Sequence, residues 1–367
     1  MSSVESITDG ARREGRSSPA SISPTDMVPS HRWRGGSSYR ALVVGLVAVV
    51  CLDPCETSAE GFGPFPVRNF NPLQQLVLNM PGDRAAVLKQ GLLDVRLELA
   101  ETAAIYREDT PQASATAKFE TLRSGLFLRY GATDKLELAM EIPVLYRYPG
   151  FMDGAIKAVE RMTTGLSPAR QALNNSYVYN ISHGGQQIVN GTNGALGLGD
   201  STLLAKYQLL SETSSLPALS IRTAVKFPTG DEQEFFGSGS PDFGIGLAAE
   251  KLLGGRWVLY GNLNGIFPTG RIAGLPLQPT ISGLAAAEYL WSDNLSLTLQ
   301  FDYYSSPFHG VGLQVLDKGV TEVVAGFNYR VTEHWLWQVY GVENVDFITG
   351  SAADFTLATL FTYRFRT

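Results

Sequence analysis

The sequence predicts an all-β fold, a transmembrane antiparallel up-and-down β-barrel of about twelve strands. Three observations predict it. Segments of about ten residues alternate apolar and polar side chains, the links between them run alternately short and long, and aromatic residues gather at segment ends.

The first segment is GLLDVRLELA, residues 91 to 100, in which Leu93, Val95, Leu97 and Leu99 alternate with Asp94, Arg96 and Glu98. Successive strand side chains point to opposite sides, so this segment has one wholly apolar and one charged face. LRSGLFLRYG follows the same rule, setting Leu122, Leu126, Leu128 and Tyr130 against Arg123 and Arg129. After the turn ATDK, LELAMEIPV sets Leu136, Leu138, Met140 and Ile142 against Glu137 and Glu141, completing a hairpin. GDSTLLAKYQLL and PALSIRTAVKFP place Leu203, Tyr207, Ile221, Val225 and Phe227 opposite Asp200, Lys206, Arg222 and Lys226. PDFGIGLAAEK has Phe243, Ile245 and Leu247 opposite Asp242 and Glu250, and RWVLYGNLNG is a weaker strand. TISGLAAAEYLW is apolar on both sides apart from Glu288, whereas NLSLTLQFDYY alternates cleanly against Ser296, Thr298, Gln300 and Asp302. TEVVAGFNYRV, with Glu322 and Arg330, HWLWQVYGV, and DFTLATLFTYRFRT, with Arg364, complete the set.

Short links fall near 131–135, 211–215, 253–255, 291–294 and 332–334; longer ones span 101–116, 145–198, 228–240, 267–279, 305–319 and 343–352. Outer-membrane barrels have short periplasmic turns and long outer loops, with girdles of aromatic residues at both interfaces. A soluble sandwich would also alternate, but the strand lengths, the girdle residues Tyr130, Trp257, Tyr303 and Trp335, and the leader described next weigh against it. The apolar face then meets acyl chains and the charged face a lumen, comprising Arg96, Glu98, Arg123, Arg129, Glu137, Glu141, Asp200, Lys206, Arg222, Lys226, Asp242, Glu250, Glu288, Asp302 and Arg330.

Arg32, Arg34 and Arg40, the apolar run Ala41 to Leu52 and the small residues Thr57-Ser58-Ala59 read as a signal peptide within 1–59, with Met27 as an alternative start. That run falls short of the roughly 18 apolar residues a membrane-spanning helix needs. Both cysteines, Cys51 and Cys55, precede the cut, so a chain beginning at residue 60 has none for a disulfide framework. The leader holds six basic and six acidic residues, leaving the net charge at -6. No clustered basic face suggests a nucleic-acid partner. Residues 60–90, rich in Pro, Asn and Gln, form either a periplasmic tail or a lumen plug anchored by Phe65, Phe70 and Leu73, ahead of a barrel at 91–367.

GPFPVRNFNPLQQL at 63–76, LGLGDSTLLAKYQL and VKFPTGDEQEFFGSGSPDFGIGL together resemble a family of uncharacterised outer-membrane proteins catalogued only as a domain of unknown function. Gly199-Asp200 and the Pro-Thr-Gly-Asp loop at 228–231 also resemble barrels assigned to a phenol-degradation pathway. The resemblance spans residues 63 to 365 and implies a fold, with no catalytic residue to carry over. In the last segment Phe361, Tyr363 and Phe365 resemble the terminal aromatic signature read by the barrel assembly machinery, although Arg366 and Thr367 follow.

Enzymatic chemistry has little to stand on: His183, His309 and His334 sit in loops or turns, away from any strand Ser. Asp231, Glu232 and Glu234 match no EF-hand spacing and read as an acidic outer loop, and GALGLG lacks the Lys-Ser/Thr start of a phosphate cradle. No metal or other cofactor is expected. In the longest link Met152, Ile156, Val159 and Met162 fall on one helical face, predicting a short helix at the outer rim or folded into the mouth, as gate or as cap. Barrels of about eight strands fill with side chains and those of about sixteen leave a channel, so about twelve leaves a plugged core and a narrow pore both open. The expected function is a channel or passive transporter for a small molecule, apolar or aromatic ones included. A closed structural barrel is the alternative and a lipid-modifying enzyme the third reading. The expected surroundings are outer-membrane lipid and lipopolysaccharide.

Overall fold

A computed structural model of the chain describes residues 60–163, 166, 168–173, 177–345 and 353–366. The proposed leader, residues 1–59, lies outside the described residues, as does Thr367. In chain order the strands are β1 (Leu92–Asp109), β2 (Ala113–Gly131), β3 (Leu136–Tyr148), β4 (Val178–His183), β5 (Gln186–Asn190), β6 (Leu196–Leu198), β7 (Ser201–Leu210), β8 (Ala218–Phe227), β9 (Asp242–Leu253), β10 (Trp257–Pro268), β11 (Arg271–Ile272), β12 (Leu275–Pro276), β13 (Thr280–Leu290), β14 (Leu295–Tyr304), β15 (Val320–Arg330), β16 (Trp335–Asn344) and β17 (Ala353–Arg366). Twelve of them close an antiparallel cycle, β1-β2-β3-β7-β8-β9-β10-β13-β14-β15-β16-β17, which β1 and β17 complete. Closure pairs the backbone polar groups of every wall strand, as hydrocarbon surroundings require.

Alternation separates two solvents. Leu97, Leu247 and Phe301 are 44, 45 and 50% exposed on the outside, while Glu98, Glu288 and Gln300 are fully buried inside. Along the closing seam Phe361, Tyr363 and Phe365 of β17 stand opposite Leu97, Val95 and Leu93 of β1 on the outward face. Tyr363 packs its ring against Trp335 and Phe365. The wall is therefore an outer-membrane barrel, apolar toward lipid and charged within.

One expectation changes and one pair of alternatives narrows. The stretch 101–116, expected as a loop, is mostly strand, because β1 and β2 stay paired to Asp109 and Ser114 beyond the lipid band. Charge alternation stops there, and small residues, Ala103, Ala104, Ala113, Ala115 and Ala117, are buried instead. The long link holds helices α1 (Asp153–Thr163) and α2 (Pro168–Ala172) besides β4, β5 and β6. Of the two places expected for helix α1, the outer rim and the mouth, it takes the rim. Its first turn is held by Glu120, whose carboxylate accepts from the Phe151 and Met152 amides at 2.8 Å, and by Lys118, which bonds Asp153 at 3.2 Å. Both share the outward face of β2 with Leu122, Leu126 and Leu128, so α1 stands outside the wall at the outer rim. Arg170 of α2 ties it down, pairing with Asp153, Glu160 and, on β17, Asp354. Met152 is buried as the apolar face requires, but Met162 is 77% exposed.

Candidate functional site

Residues 60–90 run inside the barrel as a hairpin. The ascending limb starts at the end of the barrel bearing the short turns, where Glu288 accepts from the Phe62 and Gly63 amides at 3.1 and 3.3 Å and Arg330 lies over the Phe62 ring. At mid-height Gln300 reads the Phe65 peptide in both directions, accepting from its N–H at 2.9 Å and donating to its carbonyl at 3.0 Å. Phe65 also packs on Tyr340, with centroids 4.8 Å apart. Arg68 pairs with Glu141 at 2.7 Å beside Arg123, which bonds both Glu98 and Glu141. The tip, a single 3₁₀ turn at Gln74–Leu76, reaches the outer loops, where Asn71 and Gln74 donate to the Val315 and Leu316 carbonyls.

The descending limb returns along the opposite wall. Lys226 donates to the Leu76 carbonyl and Asp242 accepts from the Leu78 amide at 2.8 Å. Arg222 donates to the Pro81 carbonyl at 2.6 Å, and Asn262 both accepts from Asp83 N–H at 2.8 Å and donates to its carbonyl at 3.0 Å. The Asp83 carboxylate sits between Arg129 at 3.1 Å and Lys206 at 2.9 Å. Arg84 grips Glu250 with two nitrogens, at 2.6 and 3.1 Å, and reaches Glu60 at 2.9 Å. Glu137 accepts from the Leu88 amide at 2.9 Å just before β1 begins.

The inward cations Arg96, Arg123, Arg129, Lys206, Arg222 and Lys226 lie on β1, β2, β7 and β8, interleaved with the carboxylates Asp94, Glu98, Glu137 and Glu141 of β1 and β3. From β9 round to β15 the inward charges are Asp242, Glu250, Glu288, Asp302 and Glu322, with Arg330 at the rim. A buried carboxylate without a partner is costly, and here plug amides and Arg84 supply partners for Asp242, Glu250 and Glu288. Every lumen-facing residue expected from alternation points inward, Asp200 from just before β7, where it pairs with Lys226 at 3.0 Å. Phe65, Phe70 and Leu73 are buried in the plug.

The outer mouth is closed differently. Leu73, Leu76, Val77 and Leu78 of the plug pack with Phe308, Leu313, Val315 and Leu316 of the 305–319 loop, whose helix α3 spans Gln314–Asp317. Glu108, at the end of β1, holds that loop by accepting from the Gln314 and Val315 amides. Arg147, fully buried, faces the rings of Phe119, Tyr179 and Phe236 at 4.7 to 5.5 Å and donates to the Glu234 and Phe235 carbonyls. That fixes the 228–241 loop. Its Gly230 amide and the Ser238 amide both donate to Asp200, so the Gly-Asp and Pro-Thr-Gly-Asp motifs meet in one contact. A Cβ on Gly237 would fall 2.4 Å from Asp200 Oδ1, which leaves no room there for a larger residue. Cavities of about 50 and 20 Å³ remain beside the plug, enough for water but not for a solute.

Alternation could not find several of these residues. Arg68, Asp83 and Arg84 are, with Lys89, the charges of the segment 61–90, and their presence in a Pro- and Asn-rich stretch was the available signal. Asn262 and Gln300 read as ordinary lumen polar residues, and nothing local marks Arg147 as a loop anchor.

The chain belongs to the family described as protein of unknown function (DUF3187), which it matches over residues 41–365. It is similar in fold to the COG4313 outer membrane channel from Pseudomonas putida F1, at 14% identity and a TM-score of 0.53 over 78% of this chain and 100% of that one. Looser likenesses are the NanC porin, at 8% identity and a TM-score of 0.40 over 75 and 100% of the two chains, and the P. putida toluene transporter TodX, at 11% and 0.34 over 76 and 91%. No curated protein matches.

Proposed function

We propose that this protein is an outer-membrane channel for small molecules, closed in the described state by its own residues 60–90. One observation carries the reading: the lumen is filled by a separable segment rather than by wall side chains. Twelve strands enclose more space than inward side chains fill, so removing the hairpin leaves a charged pore. The fold shared with the Pseudomonas putida channel supports the same reading. The apolar outer cluster admits an apolar or aromatic solute at the mouth, whereas the charged mid-lumen favours a polar one. A closed structural barrel is the second reading, favoured by the number of ion pairs holding the plug. Catalysis has no part in the proposal. Outward Phe361, Tyr363 and Phe365 suit recognition by the assembly machinery, and the exposed Arg161 of α1 suits contact with lipopolysaccharide at the outer rim.

The test is single-channel conductance of residues 60–367 in planar bilayers, beside a variant lacking residues 64–86 and a tethered variant with cysteines at Ala85 and Ser220, which touch. Expected are discrete openings on deletion, and in the tethered protein openings only after reduction. Silence from every folded variant would favour the structural barrel.

A further inference from the structure

The plug does not merely block the lumen; it is read there, residue by residue, by groups of the wall. At one height three kinds of recognition converge on two consecutive residues. Arg129 and Lys206 hold the Asp83 carboxylate at 3.1 and 2.9 Å, from one side of the lumen. Glu250, two strands further round the same arc of wall, holds the Arg84 guanidinium through two hydrogen bonds. On the next strand, β10, Asn262 pairs with both the N–H and the carbonyl of residue 83, an amide matched to a peptide group. Glu250, Lys206 and Asn262 are themselves 5, 4 and 6% exposed, so these are desolvated contacts in which an unfilled partner is costly.

We infer that this level of the lumen is a binding site for short peptides carrying an acidic and a basic group side by side, and that Asp83-Arg84 occupies it in the closed state as an internal copy of the ligand. When the hairpin withdraws, Arg129 and Lys206 keep Glu137, at 2.8 and 3.4 Å, as their one shared carboxylate and lose that of Asp83, Glu250 loses the Arg84 guanidinium, and Asn262 keeps Arg222 at 3.0 Å. A sugar satisfies neither side, and a simple anion or cation satisfies only one. A dipolar peptide satisfies all three, and by competing with residues 83 and 84 it also favours the open state.

The inference rests on the channel reading only for its physiological meaning; the site can be tested without transport. The probe is N-acetyl-Asp-Arg-amide and the control N-acetyl-Asn-Gln-amide. Both are titrated calorimetrically into the full 60–367 barrel in detergent, as wild type and as D83N/R84Q. Expected is binding of the probe to D83N/R84Q at least tenfold tighter than the control and at least tenfold tighter than to wild type, lost when R129Q and E250Q are added. Equal binding of probe and control, or of neither, overturns the site. Should the double variant fail to fold, the variant lacking residues 64–86 vacates both halves of the site, and the same tenfold discrimination of probe over control is required of it. Conductance of the same proteins separates the two ideas. Binding without openings in any variant retains the site and removes the channel, whereas openings without discrimination do the reverse.

Discussion

The middle of the lumen and its outer mouth are both closed by residues 60–90, by opposite means. At mid-height the plug is held by charges and paired amides that fit one partner and penalise others; at the mouth its tip sinks into Phe308, Leu313 and Leu316, a mainly apolar contact to which Asn71 and Gln74 add two neutral hydrogen bonds. The difference separates two tasks. Apolar burial excludes water and polar solutes roughly in proportion to area, while buried polar pairing discriminates.

The largest expected effect breaks the polar region. Arg84→Ala leaves Glu250 buried without its main partner and destabilises the docked plug by about 3–5 kcal/mol. A single cysteine at Ala85, fully buried in the closed state, would then be labelled by a hydrophilic maleimide at least a hundredfold faster. Next comes the mouth. Leu316→Ala opens a hole in the apolar cluster worth about 2–5 kcal/mol, which lowers the denaturant midpoint and exposes the 305–319 loop to protease. Cysteine 85 labelling should stay slow in that variant, and equal acceleration in both would show the two regions to be one cooperative unit. Gln300→Leu, which removes both hydrogen bonds to Phe65, should cost about 1–3 kcal/mol and accelerate labelling modestly.

The smallest effect lies outside the wall. Burial alone would raise the Asp153 carboxyl, but Lys157, Lys118 and Arg170 hold it below its ordinary value of 3.8. A depressed carboxylate contributes its stability above the unfolded value and loses it as pH falls through the folded one. The share of the α1 contact that Asp153 supplies should therefore be present at neutral pH and be lost below about 4, with Asp153→Asn removing that share. Hydrogen exchange of α1 amides at two pH values checks it, and no effect on plug labelling is expected.

The wall was legible because alternation depends only on which solvent each face meets. Leu93 to Leu99 and Leu295 to Tyr303 declared both faces from local pattern alone. The plug was legible only as a pair of alternatives, since GPFPVRNFNPLQQL has no period and its partners are supplied by Glu141, Glu288, Gln300 and the loop carbonyls of Val315 and Leu316, far along the chain. Helix α1 was likewise legible only as a pair of alternatives, rim or mouth. Its apolar spacing is real, yet what places it outside the barrel is Glu120 and Lys118, two charges whose outward direction contradicts the apolar face of β2 around them.

The hairpin course of the plug gives opening a direction. Phe62 and Leu88 both end at the rim that carries the short turns, and the single covalent link to the wall, at Gly91, is on that rim too. Force applied from the cell exterior can only press the tip further onto its own limbs. Traction on the limb at Phe62 instead breaks the Glu288 and Gln300 contacts one after another, a peeling that needs far less force than shearing them together. The work of opening is thus available only from the periplasm.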